Sequence, residues 1–549
     1  MKKRPTKDIK ITQMKYPNIS IGFDDNDRKV EFKGGLLGQT VRVKAGKKNK
    51  DRIKAKYIEL LEESKLENAR EFCPQAAICG GCAYQKLAYE TELMLKHGMI
   101  KDLFKDNGIE YNNDISINRS PITSGFRNKM EYTFGDSIKG GPLVLGLHRK
   151  RRFYEIVDCK NCNIVDSDFN TIRSKVQEYF REKETDFYHK MAKEGLLRHL
   201  VIRKAMHTDQ IMVILVTTSD STFDDTRLRL FLNMLLDIDL DGRIFSVYHV
   251  LNDSVADAVI PEKIKLIYGK EYITEEMMGL QFRISPFSFF QPNVFTAEKL
   301  YQKAFDLAEI DKTMDVLDLY SGTGTITQLM ASVAKSATGI EIVEEAVEKA
   351  KENARINGLD NVNFLCGDVL EEIEKVGNKY DVVVLDPPRA GISPASLEKI
   401  LNIDCKKFVY ISCNPKTQME NLKTFIEKGY EIKDYEIYDQ FPNSRHVETV
   451  ALLSKLYVDK HISVEIELDE MDLTSAESKA TYAQIKEYVW NKFQLKVPTL
   501  YIAQIKRKCG IELREHYNKS KKEKQIIPQC TPEKEEAIMN ALRHFKMIE

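Results

Sequence analysis

Lys407-Phe408-Val409-Tyr410-Ile411-Ser412-Cys413-Asn414-Pro415-Lys416-Thr417 is the stretch whose reading decides the fold of this chain. Its apolar, β-branched and aromatic run, Phe408 to Ile411, predicts a buried strand. Pro415 blocks simple continuation of that strand, so Ser412-Cys413-Asn414 falls at its end. A second strand end lies upstream, where Val382 to Leu385 leads into Asp386-Pro387-Pro388-Arg389. A carboxylate, Glu448, follows downstream in Ser444-Arg445-His446-Val447-Glu448-Thr449. By itself, a cysteine is most often a small buried apolar residue. A thiol, a strand-end Asp and a later Glu in one nucleotide-binding-type fold suggest instead covalent attack on a ring, followed by proton removal.

Outward from this stretch the chain has a β-α-β rhythm. Apolar runs at 315–320, 337–342, 380–385 and 407–412 alternate with amphipathic helical stretches such as 343–358 and 416–428. That alternation predicts a parallel sheet covered by helices. The last two runs, 430–439 and 447–454, are too close for a helical crossover and predict an antiparallel hairpin.

Three further strand ends carry groups suited to a ligand. The first is Asp318-Leu319-Tyr320-Ser321-Gly322-Thr323-Gly324-Thr325, whose glycines allow close backbone approach. It lacks the third glycine of the dinucleotide fingerprint. The next run ends at Glu341, well placed for two ribose hydroxyls, and the one after it at Asp368, where contacts to an adenine edge are expected. Two prolines stiffen the loop that aims Asp386 out of the sheet edge. Ahead of the rhythm stands Phe287-Ser288-Phe289-Phe290-Gln291-Pro292-Asn293, where the amide of Gln291 is a candidate contact to a nucleobase or cofactor.

The remainder divides into modules. At 549 residues, the chain is too long for one core. Residues 1–62 show short β-like runs with Gly punctuation, which predict a small β-barrel. Residues 63–285 read as a mixed α+β domain, 286–455 as the Rossmann-like domain, and 456–549 as a helical extension. In that extension helices are expected at 478–492, at 498–508 and from Glu533, with a helix-turn-helix flavour around Val497 to Lys508 and a charged loop at 520–525.

Charge balances overall, 83 basic against 83 acidic residues, so net charge favours no partner class. Locally it does: residues 1–56 hold 17 Lys/Arg against 6 Asp/Glu, as expected of a module that meets a polyanion such as nucleic acid. No apolar run is long enough to span a membrane and the start has no signal-peptide core, so a cytoplasmic protein without membrane contact is expected. There, the ten cysteines are better read as metal ligands, nucleophiles or core residues than as disulfides. Cys73, Cys79 and Cys82 sit on one Gly-containing loop that can wrap a metal centre. Cys162, chosen over Cys159, supplies a fourth thiolate, and such a set suits an iron–sulfur cluster or zinc.

Taken together, these motifs resemble the S-adenosylmethionine-dependent RNA uracil-C5 methyltransferase family, over roughly residues 10–454. The amino-terminal barrel resembles that family's TRAM domain. The cysteine set is similar to the branch that carries a [4Fe-4S] cluster and acts on 23S rRNA, rather than the tRNA-modifying branch. The resemblance implies cofactor contacts at Gln291, Tyr320, Glu341 and Asp386, a weaker one at Asp368, a nucleophile at Cys413 and a base at Glu448. Asp386 is also a candidate for hydrogen bonding to the uracil imide, and the motif does not decide between that and a cofactor contact. A monomer acting on RNA is expected, with tRNA methylation, or an inactive RNA-binding protein, as alternatives. Residues 456–549 fall outside the family architecture.

Overall fold

The structure, a computed structural model, describes residues 5–48, 52–219, 223–256, 258–377, 379–455, 482–509, 530–545 and 547–548. The charged stretch 520–525 and the first residues of the helix expected at 478 lie outside the described residues. The chain forms two compact units, Met1–Tyr457 and Val458–Glu549.

In the first unit, six strands between Thr6 and Glu62 join into one sheet. The strand Lys29–Lys33 shows why: Val30 and Phe32 turn inward while Lys29, Glu31 and Lys33 alternate outward, the period of a half-buried strand. A seven-stranded sheet follows, with strands from Lys129–Asp136 to Lys263–Gly269 and the helices Ser167–Glu182 and Asp225–Leu236.

The sheet that positions the site has eight strands. Their spatial order is Val362–Cys366, Ser336–Glu341, Asp315–Leu319, Val382–Leu385, Lys407–Ser412, Glu448–Lys455, Tyr430–Tyr438 and Ser116–Asn118. The first five run parallel, and Glu448–Lys455 returns antiparallel between Lys407–Ser412 and Tyr430–Tyr438. Val382 to Leu385 and Phe408 to Ile411 are completely buried, as a strand covered on both faces requires. Chain order reverses beside Asp315–Leu319, which has Ser336–Glu341 on one side and Val382–Leu385 on the other. Ligands of open α/β sheets bind at the carboxyl ends of strands at such a switch point. The edge strand Ser116–Asn118 comes from about 200 residues upstream of the parallel set, and its three residues carry no readable periodicity.

Among its described residues, the second unit contains three helices, Tyr482–Phe493, Thr499–Lys508 and Pro532–His544, each packed on the other two. Ile485, Val489, Ile502, Ile538 and Leu542 form its own fully buried core. No helix among the described residues is long and apolar enough to cross a membrane.

Candidate active site

A cavity of ≈ 910 Å³ opens at the carboxyl ends of the parallel strands. Its wall includes Gln291, Tyr320, Glu341, Asp386, Cys413 and Glu448. These six residues come from segments more than 150 residues apart in the chain.

The cofactor-side loop is shaped by backbone conformation. Tyr320 takes φ +68° at the end of its strand, and Gly324 takes φ +73° where it opens the helix Thr325–Ala331. A Cβ on Gly324 would lie 2.6 Å from the Phe364 ring and 2.8 Å from Ala350, so both φ and space demand glycine there. Glu341 holds the loop from the next strand end: its Oε2 accepts from Gly322 N at 2.9 Å and its Oε1 from Val343 N at 3.0 Å. Beneath the loop, Asp318 is fully buried and accepts from the Thr327 hydroxyl at 2.5 Å; burial pushes its carboxyl up to about 8. The Gln291 side chain accepts from Gln440 Nε2 at 3.3 Å, and its backbone carbonyl accepts from Asn128 Nδ2 at 2.8 Å. Asp368 stands apart from this wall. Its Oδ1 accepts from Leu370 N at 2.8 Å as an N-cap, and its side chain is exposed, near enough to Tyr320 to act on it electrostatically.

On the opposite side of the cavity, the acid–base groups converge. Ser412 pairs with Thr449 at the last rung between their antiparallel strands, which brings Cys413 and Glu448 to adjoining strand tips. Burial pushes the Cys413 thiol up to about 11, the carboxylates of Glu448 and Asp386 push the same way, and the nearby Arg389 guanidinium opposes them. Glu448 is buried, which raises its pKa well above the usual carboxylate range, with Asp386 adding and Arg389 opposing. Burial likewise pushes Asp386 up to about 7. Arg389 is thus the cation that favours the charged forms of Cys413 and Glu448. In the sequence, the only signal for such a role is its place in the Asp386-Pro387-Pro388-Arg389 motif.

His446, two residues before Glu448, also lines the cavity, and burial lowers its pKa. The loop carrying it is anchored from a distant helix. Fully buried Lys96, on the helix Tyr89–Asn107, donates to Glu92 at 2.6 Å, to Asp439 at 2.5 Å and to the Phe441 carbonyl at 3.2 Å. The backbone amides of Ala83 and Tyr84 both donate to the Asn443 carbonyl, tying the cysteine loop to the same turn.

A matching family profile, tRNA (uracil-5-)-methyltransferase, covers residues 254–456. An uncharacterized RNA methyltransferase of Clostridium tetani is 42% identical over 455 residues, 83% of this chain and 99% of the relative. The chain belongs to the S-adenosylmethionine-dependent RNA uracil-C5 methyltransferase family. The methyltransferase is 41% identical to a second uncharacterized RNA methyltransferase, from Caldanaerobacter subterraneus subsp. tengcongensis, over 81% of its own length and 98% of the relative's. Among solved structures, it is similar to Pyrococcus abyssi tRNA (uracil-54, C5)-methyltransferase in complex with S-adenosyl-L-homocysteine. That likeness has a TM-score of 0.64 and 26% identity, and covers 81% of this chain and 99% of the other.

Five of the ten cysteines of the methyltransferase come from two segments. The Cys73–Cys82 loop and the Cys159–Asn163 segment are pinned by a reciprocal amide pair, Gln85 to Asn163, at 2.8 and 3.0 Å. Cys73, Cys79, Cys82 and Cys162 lie close enough to influence one another's ionisation, and Cys82 also lines the main cavity. Cys159 is nearest to Cys79, with sulfurs 3.9 Å apart, so a shared proton holds Cys79 down and Cys159 up. A Cβ on Gly80 would lie 2.8 Å from the His148 carbonyl oxygen, so glycine is needed for the loop to pack there. Among the described residues, no three His, Cys, Asp or Glu side chains are disposed to hold a single metal ion.

Proposed function

We propose that this enzyme forms 5-methyluridine in 23S rRNA, with Cys413 as nucleophile and Glu448 as base. The observation that carries the chemistry is the meeting of these two groups at adjoining strand tips, with Asp386 and Arg389 beside them in one cavity, while the choice of 23S rRNA rests on the resemblance of the cysteine set.

C5 of uracil is too electron-poor to attack a methyl group unaided. The Cys413 thiolate forms a bond to C6, which moves an electron pair onto C5. S-adenosylmethionine, when bound, supplies an electrophilic methyl group and leaves as the neutral thioether. Glu448 then takes the proton from C5. The pair on C5 has by then become the C5–methyl bond, so it is the C5–H bonding pair that re-forms the C5–C6 double bond, breaks the Cys413–C6 bond and regenerates the thiolate. Arg389 favours the thiolate before addition and after elimination. Asp386 accepts a hydrogen bond from the imide N–H of uracil, a contact cytosine cannot make because its N3 carries no hydrogen. Gln291, Tyr320 and Glu341 hold the methyl donor, with Asp368 the outermost of the set.

Cys73, Cys79, Cys82 and Cys162 are proposed as ligands of a [4Fe-4S] cluster. Methyl transfer needs no electron, so the cluster's role is to brace the loop that reaches Asn443 and, through it, the turn before Glu448. Residues 1–62 act as an RNA-binding, TRAM-like barrel, consistent with their basic surplus.

The solved tRNA (uracil-54, C5)-methyltransferase favours a second reading, tRNA as substrate. Incubating anaerobically purified enzyme with unmodified 23S rRNA, bulk tRNA and labelled S-adenosylmethionine separates the two. Labelled 5-methyluridine in 23S rRNA supports the first reading. Label in tRNA alone overturns it while keeping the chemistry.

A further inference from the structure

The second unit has no part in the chemistry proposed for Cys413 and Glu448. The family profile ends at residue 456, just before that unit begins at Val458. Its helix Tyr482–Phe493 buries Ile485 and Val489 completely, fixing which side faces the core. Lys486, Trp490 and Phe493 follow at four- and three-residue spacing and therefore form a stripe of their own. Trp490, the only tryptophan in the chain, is 43% exposed, and Phe493 is 37% exposed.

Cations surround these rings. Lys496 Nζ lies 5.5 Å from the centre of the Trp490 ring, and Lys492 Nζ lies 5.3 Å from that of Tyr488 and 5.6 Å from that of Phe493. From 482 to 509 the chain carries six Lys/Arg (Lys486, Lys492, Lys496, Lys506, Arg507, Lys508) and a single acid, Glu487. Among the described residues of the unit, the other acids are Glu533, Glu535 and Glu536 on the third helix, where Glu535 pairs with Lys508. An exposed indole costs solubility and is not needed by the core beneath it. Exposed rings interleaved with cations match what single-stranded nucleic acid requires: π-faces for bases and positive charge for phosphates.

We propose that the second unit is an accessory RNA-binding module in which Trp490 stacks on an unpaired base of the RNA substrate while Lys492 and Lys496 meet its phosphates. The inference depends neither on which RNA is methylated nor on the roles given to Cys413 and Glu448.

Because Trp490 is the sole tryptophan, the full-length enzyme carries its own reporter. Titration with a single-stranded RNA oligomer, without methyl donor, is expected to quench the indole fluorescence. Raising salt from about 50 to about 200 mM should reverse the quenching. Trp490→Ala should weaken binding of labelled RNA about 5- to 100-fold, and Lys496→Glu should weaken it too. Turnover on a saturating short substrate should stay unchanged in both. Unchanged fluorescence under conditions where labelled RNA binds, with wild-type affinity in both variants, would overturn the proposal. Quenching by polyglutamate but not by RNA would also overturn it, in favour of an acidic protein partner.

Discussion

Cys413 and Glu448 occupy adjoining tips of two antiparallel strands, one residue beyond the Ser412–Thr449 rung, although 35 positions separate them in the chain. The Thr449 hydroxyl also donates to the Ser412 carbonyl at 3.1 Å and locks that rung. If the pair acts as nucleophile and base, the two halves of the reaction separate by mutation. Cys413→Ala should reduce methylation by roughly 10⁴-fold or more, the scale of losing a nucleophile, while labelled RNA still binds in a filter assay. Glu448→Gln should stop the reaction after addition and leave a protein–RNA adduct that survives a denaturing gel. No adduct in that variant would remove Glu448 from the role.

The charge around the thiol predicts a pH dependence. Burial and two carboxylates favour the protonated Cys413, and only the thiolate attacks, so methylation should rise as pH increases above neutrality. Arg389→Ala removes the opposing cation and should move the profile of Cys413 alkylation to higher pH. Glu448→Gln removes a carboxylate and should move it lower. Alkylation rates measured against pH give both shifts without any RNA present.

Asp386 offers a third test. Its carboxyl is pushed up to about 7, so it gains the charge that suits an acceptor for an imide N–H as pH passes through that value. Asp386→Asn should lower kcat/KM by tenfold to a hundredfold, equivalent to the ~1.5–3 kcal/mol of a hydrogen bond to a charged group. A variant as active as the wild type would leave Asp386 without a part in base recognition.

Lys96 is completely buried between Glu92 and Asp439. Lys96→Ala would leave two buried carboxyls without their cation and should cost about 3–5 kcal/mol in denaturant unfolding. The turn from Asp439 to Val447 loses its anchor in the same variant, so activity should fall further than stability accounts for. Lys96→Arg, which keeps the charge, should restore part of both.

For the cysteines, Cys162→Ser should abolish iron binding and the visible absorbance of anaerobically purified protein, whereas Cys159→Ser should retain both. The methylation rate should not change between oxidised and reduced cluster. The opposite pattern for the two serine variants would make Cys159 the fourth ligand.

Much of the fold could be read from pattern alone. The runs leading to Asp386 and Cys413, Val382 to Leu385 and Phe408 to Ile411, are continuous apolar stretches, because a strand buried on both faces admits little else, while those leading to Tyr320 and Glu341 are apolar runs interrupted by Asp318 and Thr338. Their loops advertise themselves through glycine and proline, whose backbone limits are intrinsic to the residue. Ser116–Asn118 escaped notice because three residues paired to a remote edge strand have no period to read.

The sequence by itself determined which side chains stand at strand ends, since the local steric preferences that build strands and turns act over a few neighbouring residues. It equally determined the family, through the order of those ends. Only the tertiary structure decided what meets what. It set Arg389 against Cys413, sank Lys96 beneath the turn before Glu448, and left Asp368 outside the wall that holds Glu341. Those relationships depend on strand order, register and burial, which arise from packing across the whole chain and change each group's charge through its surroundings rather than its identity.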